Sequence, residues 1–259
     1  MKLKILVAVL LIPLRSYAND LVRPYAFNNS NKDQLIKRDH YDLSYNNTHE
    51  VANWVSYDLN PSHLKGCVPR ADSFRIDPVV MEGSSSPADY KNSGFDRGHL
   101  LPAGDMKFDK EAMRNTFFMS NMTPQPAKFN RGRWSSLETL IRAWALKYNN
   151  LAIVTGPVLK DNLSQIGLHN KVSVPFEYFK VIIRKTAEGK LIGIGFLMNT
   201  DVPFTTLTPY ALTINQVEEI TGLNFFSSLG DDLEEEIESE IQLEEWDFAA
   251  KFNYLPCVL

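Results

Sequence analysis

The residues with the clearest chemical potential lie between positions 96 and 138 of this 259-residue sequence. The run Asp96-Arg97-Gly98-His99 supplies an imidazole, a group whose pKa near neutrality suits a base that takes a proton from water. Asn130 and Glu138 supply oxygen atoms, the ligands that a hard cation such as Mg²⁺ prefers. A base, a cation site and neighbouring arginines are the groups needed to hydrolyse a phosphodiester.

Each of these residues has a simpler explanation when it is considered alone. An asparagine at a helix start is usually an N-cap, a glutamate at the edge of an apolar stripe is usually solvated, and an isolated histidine is usually structural. Here His99, Asn121, Asn130 and Glu138 fall within one 40-residue unit of loop, strand and helix. This spacing favours the catalytic interpretation.

A helix over residues 131–148 is predicted to position two of these groups, because its apolar residues recur at helical spacing. Asn130 is the expected N-cap, and Glu138 lies at the edge of the apolar stripe. Residues 115–121, a short apolar run, predict a buried strand before this helix. The helix therefore turns an amide and a carboxylate toward the interior.

The remaining pattern indicates an α+β fold with residues 19–259 as a single domain. Strands are predicted at 49–59 and 151–158, and a hairpin joins 176–184 to 190–197. A short helix is predicted at 213–222, with Thr213 as cap and Gly222 as stop. Residues 19–40 are expected to be irregular. Residues 231–246 predict an acidic amphipathic helix with Leu233, Ile237 and Ile241 on one side.

The first 18 residues resemble a signal peptide, with lysines at positions 2 and 4 and an apolar run that ends before Ser16-Tyr17-Ala18. The alternative is a membrane anchor, but the apolar run contains Pro13 and is too short to cross a bilayer. Export to the periplasm or the medium is therefore expected, and no membrane partner. Cys67 and Cys257 then form one disulfide or remain two thiols.

The charge distribution is compatible with a nucleic-acid partner even though the formal net charge is −4. Residues 231–245 contain nine acidic residues and no basic residue, so the rest of the chain has a small positive balance. Basic side chains are frequent in the stretch that carries the motifs, where a modest positive field would attract a polyanion and still release product. They are Arg97, Lys107, Lys110, Arg114, Lys128, Arg131, Arg133 and Arg142.

These motifs together resemble the DNA/RNA non-specific endonucleases that have a ββα-metal core. The resemblance rests on Asp96-Arg97-Gly98-His99, on Ser120-Asn121-x-Thr123-Pro124-Gln125, and on Asn130 with Glu138 eight residues later. It extends over about residues 45–230. It implies a central, mainly antiparallel sheet flanked by helices, with the catalytic unit on one side. The acidic segment 231–246 is not implied by the family.

The resemblance also implies a role for each candidate residue. His99 is the general base, Asn130 is the direct ligand of Mg²⁺ or of another divalent ion such as Mn²⁺, and Glu138 holds the ion through water. Arg70 clamps the phosphate with support from Arg97, although Arg75 is a rival for Arg70. Asn121 helps to hold the metal or phosphate geometry, and Asp96 supports the site from behind.

The predicted activity is therefore a metal-dependent cleavage of DNA and RNA that reads the backbone and not the base sequence, since no recognition helix or zinc finger is evident. The resemblance implies products with 5′-phosphate ends, and a protein inhibitor is a further potential partner. One alternative is a nuclease fold that has lost catalysis and only binds its partner. Another secreted hydrolase is disfavoured, because the sequence lacks a Gly-x-Ser-x-Gly elbow and a phosphate-binding Gly-x-x-x-x-Gly-Lys loop.

Overall fold

The computed structural model describes residues 25–26, 33–201, 203 and 205–253. In this part of the chain the largest sheet has seven strands, each antiparallel to its neighbours. The predicted α+β class with a mainly antiparallel central sheet is confirmed. In spatial order the strands are β12 (Ala211–Leu212), β11 (Leu191–Asn199), β10 (Glu177–Lys185), β7 (Leu151–Pro157), β4 (Val51–Leu59), β3 (Asp42–Asn46) and β2 (Asp33–Lys37).

Short strand pairs and helices surround this sheet. The pairs are β1 (Tyr25–Ala26) with β13 (Leu223–Asn224), β5 (Phe95–His99) with β6 (Met122–Pro126), and β8 (Gln165–Ile166) with β9 (Val172–Ser173). The α-helices are α1 (Pro61–Leu64), α2 (Pro87–Tyr90), α3 (Lys110–Asn115), α4 (Ser135–Tyr148), α5 (Ile214–Thr221) and α6 (Asp231–Glu238). No helix within the described ranges is long and apolar enough to cross a membrane.

The alternation of side chains along β10 separates the two faces of the sheet. Tyr178 and Ile182 pack in the core that α4 covers, together with Trp144. Phe179 and Val181 pack in a second core that α5 and α6 cover. The acidic helix α6 therefore lies on the face of the sheet opposite to α4 and its candidate site residues.

Both ends of α5 lie where the sequence predicts them. The Thr213 hydroxyl accepts a hydrogen bond from the Gln216 amide, and the Gln216 side chain returns to the Thr213 amide, which completes a capping box. Gly222 ends the helix in the left-handed conformation at φ 68°, which glycine adopts without a steric penalty. The hairpin of β10 and β11 and the strand β7 are also confirmed.

Four sequence predictions differ from the structure. Residues 115–121 are not a strand: they leave α3, turn, and form a 3₁₀ turn at Met119–Asn121, and the next strand is β6. The apolar run is buried here by tertiary packing. The helix predicted at 131 begins as α4 at Ser135, after a π-helical turn at Phe129–Trp134. Residues 33–37 form an edge strand, and the acidic helix ends at Glu238.

The signal-peptide prediction and the pairing of Cys67 with Cys257 concern segments outside the described residues, since both 1–18 and 254–259 lie there.

Candidate active site

The candidate base, His99, is the last residue of β5, where it pairs with Met122 of β6. The preceding glycine is required by a close approach, because a Cβ atom on Gly98 would lie 2.2 Å from the side chain of Gln125. Gln125 is on β6, so the Asp-Arg-Gly-His run and the motif at 120–125 are packed against each other. The two motifs therefore form one β-hairpin-like unit that presents the imidazole at its end.

The environment of His99 keeps the imidazole neutral. The residue is 8% exposed, and its ring meets the rings of Phe117 and Phe74 edge-on at centroid distances of 4.9 and 5.8 Å. Burial, together with the positive charges of Arg70 and Arg97, lowers the pKa of His99 to about 3. Its Nε2 atom has no hydrogen-bond partner among the described residues. The ring is therefore neutral at neutral pH, which is the protonation state that a base requires.

The two arginines nearest to His99 are held by the same aromatic rings. The guanidinium of Arg97 lies 4.1 Å from the ring centroid of Phe74, and that of Arg70 lies 4.9 Å from the centroid of Phe117. Each ring thus contacts the imidazole and supports one cation. Arg70 is half exposed and also pairs with Asp72 at 2.7 Å. The arrangement leaves both guanidinium groups beside the base, where they can bind a phosphate.

The rival arginine, Arg75, faces a different part of the molecule. Its guanidinium stacks on Phe118 at 3.9 Å and donates to the carbonyl of Arg114 at 2.7 Å. Its charge does not contribute to the lowered pKa of His99, whereas that of Arg70 does. The geometry favours Arg70 over Arg75 as the residue beside His99.

A pH-dependent loss of stability follows from the burial of His99. Because its pKa is about 3 in the folded state and near 6.5 otherwise, acidification protonates the unfolded chain first. Between those two values we expect His99 to remove about 1.4 kcal/mol of unfolding free energy per pH unit. Urea unfolding at pH 7, 6 and 5 checks this: the difference between wild type and His99→Gln should shrink steadily. A constant difference would contradict the buried, neutral imidazole.

Asn121 is fully buried, and its amide group is used by the main chain. Its Oδ1 accepts from the Leu101 amide at 2.9 Å, and its Nδ2 donates to the carbonyls of Leu101 and Thr116 at 3.0 and 2.9 Å. These bonds fix the segment that directly follows His99. These contacts suit Asn121 to positioning the main chain next to His99. A direct role of Asn121 at the metal or phosphate stays a prediction.

The candidate metal ligand, Asn130, is in the π-helical turn and not at the N-cap of α4, where the sequence pattern predicts it. Gly132 departs from helical geometry in this turn (φ −106°, ψ −108°) and shifts the start of α4 to Ser135. The side chain of Asn130 instead donates from Nδ2 to Asp96 Oδ2 at 2.9 Å. That bond orients the amide so that Oδ1 remains for a cation, which fits the proposed ligand role.

Asp96 links this turn to the strand that carries His99. Besides Asn130, its carboxylate accepts two hydrogen bonds from Arg131, at 2.6 and 2.8 Å. These donors lower the pKa of Asp96 although burial opposes the effect. The carboxylate therefore stays ionised. It holds the side chain of Asn130 at a position on β5 three residues before His99.

Glu138 lies on the first turn of α4 with its side chain only 14% exposed. Burial raises its pKa to about 7, while the charges of Arg142, Lys180 and Arg70 act in the opposite direction. Arg142 Nη2 is 3.7 Å from Glu138 Oε2, and Arg142 Nε is 2.5 Å from Asp105 Oδ1. The charge of Arg70 acts on both His99 and Glu138, so the structure brings these three groups into one electrostatic environment.

Two charged residues of this environment belong to none of the sequence motifs. Arg142 is one of the basic residues in the stretch that carries the motifs, and it bridges Glu138 to Asp105. Lys180 is fully buried on β10, where Nζ donates to Thr155 Oγ1 at 3.0 Å and to the Leu100 carbonyl at 3.4 Å, and lies 4.6 Å from the Trp134 ring. The sequence does contain a signal for Lys180, because this lysine stands within an apolar strand. An isolated buried charge is costly, so a lysine at such a position indicates a specific role.

Replacing Lys180 with methionine is expected to impair catalysis more than folding. The change frees the Leu100 carbonyl next to His99 and removes a positive charge that favours ionised Glu138. We expect kcat to fall about 10-fold, as for other supporting residues of metal sites, with KM nearly constant and stability within about 2 kcal/mol. Lys185→Met, an exposed position on the same strand, is the matched control. Equal kinetics for both variants would rule out a positioning role for Lys180.

Comparison with known proteins places this arrangement in a family. The family model described as DNA/RNA non-specific endonuclease matches residues 19–232. The chain belongs to this family. It is thus a nuclease, and the segment that the DNA/RNA non-specific endonuclease model covers contains every candidate site residue named above.

Individual relatives agree with that assignment. The chain is 33% identical over 219 residues to a nuclease of Nostoc sp., an alignment that covers 80% of this chain and 78% of the relative. It is 32% identical to human mitochondrial endonuclease G, with 76% and 70% covered. A solved structure, that of an EndoG/EndoGI complex, superposes with a TM-score of 0.70 at 31% identity and covers 76% of this chain and 87% of the matched chain. Fold and sequence therefore give the same family.

Proposed function

We propose that this nuclease is an exported, Mg²⁺-dependent endonuclease that hydrolyses DNA and RNA without reading base sequence. The observation that carries the proposal is the buried, neutral imidazole of His99 in contact with two rings that each support a guanidinium group, those of Arg70 and Arg97. Such a site matches a backbone phosphate, which is common to every nucleotide. Family members in mitochondria and in bacteria are similar to this chain, so the proposed export rests on residues 1–18 alone.

In the proposed reaction His99 accepts a proton from the attacking water. The water oxygen bonds to phosphorus, the P–O3′ bond breaks, and the 3′-oxygen leaves and takes a proton from solvent, while the other product retains a 5′-phosphate. Arg70 and Arg97 bind the phosphate oxygens and orient the diester for this attack. Asn121 and Lys180 hold the segment behind His99, so the ring does not need to move during the step.

Asn130 would hold the divalent ion through Oδ1, and Glu138 would hold it through water. The ion, when bound, supplies positive charge that stabilises the leaving oxygen. Mg²⁺ suits this place because it keeps most of its water shell and needs few protein ligands. Asp96 holds the Asn130 amide in the ligand orientation, and Arg142 holds the Glu138 carboxylate.

A plasmid-nicking assay tests the proposed activity. Purified protein with Mg²⁺ should convert supercoiled plasmid to nicked and linear forms and should degrade a structured RNA, and EDTA should stop both reactions. Retention of the plasmid in a gel shift without any nicking, in the presence of Mg²⁺ or Mn²⁺, would support the alternative of a binding protein. Titration with an EndoGI-type inhibitor would extend the test to a protein partner, since the similar EndoG structure contains EndoGI.

A further inference from the structure

A cleft of about 300 Å³ opens beside the strand that carries the catalytic histidine. It lies between α2 and the first half of β5. Its volume is at the lower end of the roughly 300–1,000 Å³ that ligand pockets have, which suits one nucleotide and not a duplex. The lining residues are Pro87, Tyr90, Lys91, Phe95, Asp96 and Arg97.

The cleft is connected to the reaction centre through β5. Along this strand Phe95, Arg97 and His99 alternate with Asp96 and Gly98, so the first three share one face at intervals of roughly 7 Å. Arg97 lines the cleft, and its charge also contributes to the lowered pKa of His99. A ligand in the cleft would therefore be separated from the imidazole of His99 by a single arginine, Arg97.

The charge of the cleft favours an anion. Lys91 and Arg97 are both exposed there. The carboxylate in the lining, Asp96, is compensated by two hydrogen bonds from Arg131 and one from Asn130. The other acid of this region, Asp89 on α2, bonds to Ser86 and Asn170 and does not line the cleft.

We infer that this cleft is the subsite for the nucleotide next to the scissile phosphate. Its base stacks on the ring of Phe95, Lys91 binds its phosphate, and Arg97 lies between this subsite and the scissile phosphate. Stacking on an aromatic ring tolerates every base, which agrees with sequence-independent cleavage. A base reaches the ring only when it is unstacked from its neighbours, so the subsite selects single-stranded or locally opened substrate. This inference rests on the proposed endonuclease function.

The test is the binding and cleavage of a fluorescein-labelled, single-stranded decamer by Phe95 variants. In EDTA, Phe95→Ala and Phe95→Leu should each raise Kd about 10-fold, in the range expected for one lost base stack, whereas Phe95→Tyr should bind like wild type. Phe176→Ala, at an exposed phenylalanine that does not line the cleft, is the control. Lys91→Gln should reduce the slope of log Kd against log salt by about 1.

Cleavage of a small diester, which is too short to occupy the subsite, distinguishes effects on the subsite from effects on the reaction centre. With Mg²⁺, the ratio of kcat/KM on the decamer to that on bis(p-nitrophenyl) phosphate should fall about 10-fold in Phe95→Ala. An unchanged ratio, or a Kd equal to that of wild type, would overturn the subsite. If wild type cleaves neither substrate but Phe95→Ala still binds the decamer more weakly, the proposed function fails and the cleft is a nucleotide-binding site without a scissile phosphate beside it.

Discussion

His99→Ala is expected to reduce kcat on plasmid DNA by about 10³-fold, within the range that general acid–base catalysis contributes. The variant removes the imidazole and leaves Arg70, Arg97 and the metal ligand in place, so substrate binding should change little. Single-turnover cleavage at saturating enzyme measures the loss directly. Added imidazole should restore part of the rate, because the space between Phe74 and Phe117 remains available to it.

The fold of His99→Ala should survive. Since Nε2 of His99 has no partner among the described residues, its removal orphans no group at that atom. The expected cost is that of a small cavity, on the order of 1–3 kcal/mol. His169→Ala, an exposed histidine in the loop between β8 and β9, is the control and should keep full activity. Activity of the same order in both variants would exclude His99 as the base.

Asn130→Ala is expected to have the second large effect. Activity at about 1–10 mM Mg²⁺ should fall at least about 100-fold, which is on the order expected when a contact to the metal is lost. The reason is the loss of the Oδ1 atom that Asp96 orients. The half-saturating Mg²⁺ concentration should rise as well, and a titration of nicking rate against Mg²⁺ measures both quantities.

Two further variants show whether the loss arises at the metal. Asp96→Asn leaves Oδ1 of Asn130 present but less firmly oriented, so a smaller loss of roughly 10-fold is expected. Asn150→Ala, at an exposed residue after α4, should behave as wild type. A normal Mg²⁺ titration for Asn130→Ala would contradict its role as ligand.

The fold was predictable where neighbouring residues decide the structure. Thr213 and Gly222 define both ends of α5 through bonds within a few residues, and the turn at 187–189 defines a hairpin in the same way. The apolar run at 115–121 was misread, because burial alone does not distinguish a strand from a buried turn. Asn130 was misread as a cap, because its partner Asp96 is 34 residues away in sequence.

The candidate site was predictable in its residue types but not in its supports. His99, Asn130 and Glu138 were named from spacing and resemblance, and the structure places them on connected elements. The choice between Arg70 and Arg75 needed the positions of Phe117 and Phe118, which no local pattern gives. Lys180 belongs to no local motif, because the role predicted for it depends on a contact with Leu100, 80 residues earlier in the chain.

The central claim is that the imidazole of His99 and an ion held by Asn130 flank one phosphodiester. The most direct measurement is the broadening of the His99 imidazole resonances by Mn²⁺ in selectively labelled protein, with His169 as an internal reference. We predict that low concentrations of Mn²⁺ broaden His99 strongly in wild type, leave His169 sharp, and have little effect on His99 in Asn130→Ala. A His99 signal that stays sharp in wild type, or broadens equally without Asn130, would contradict the account.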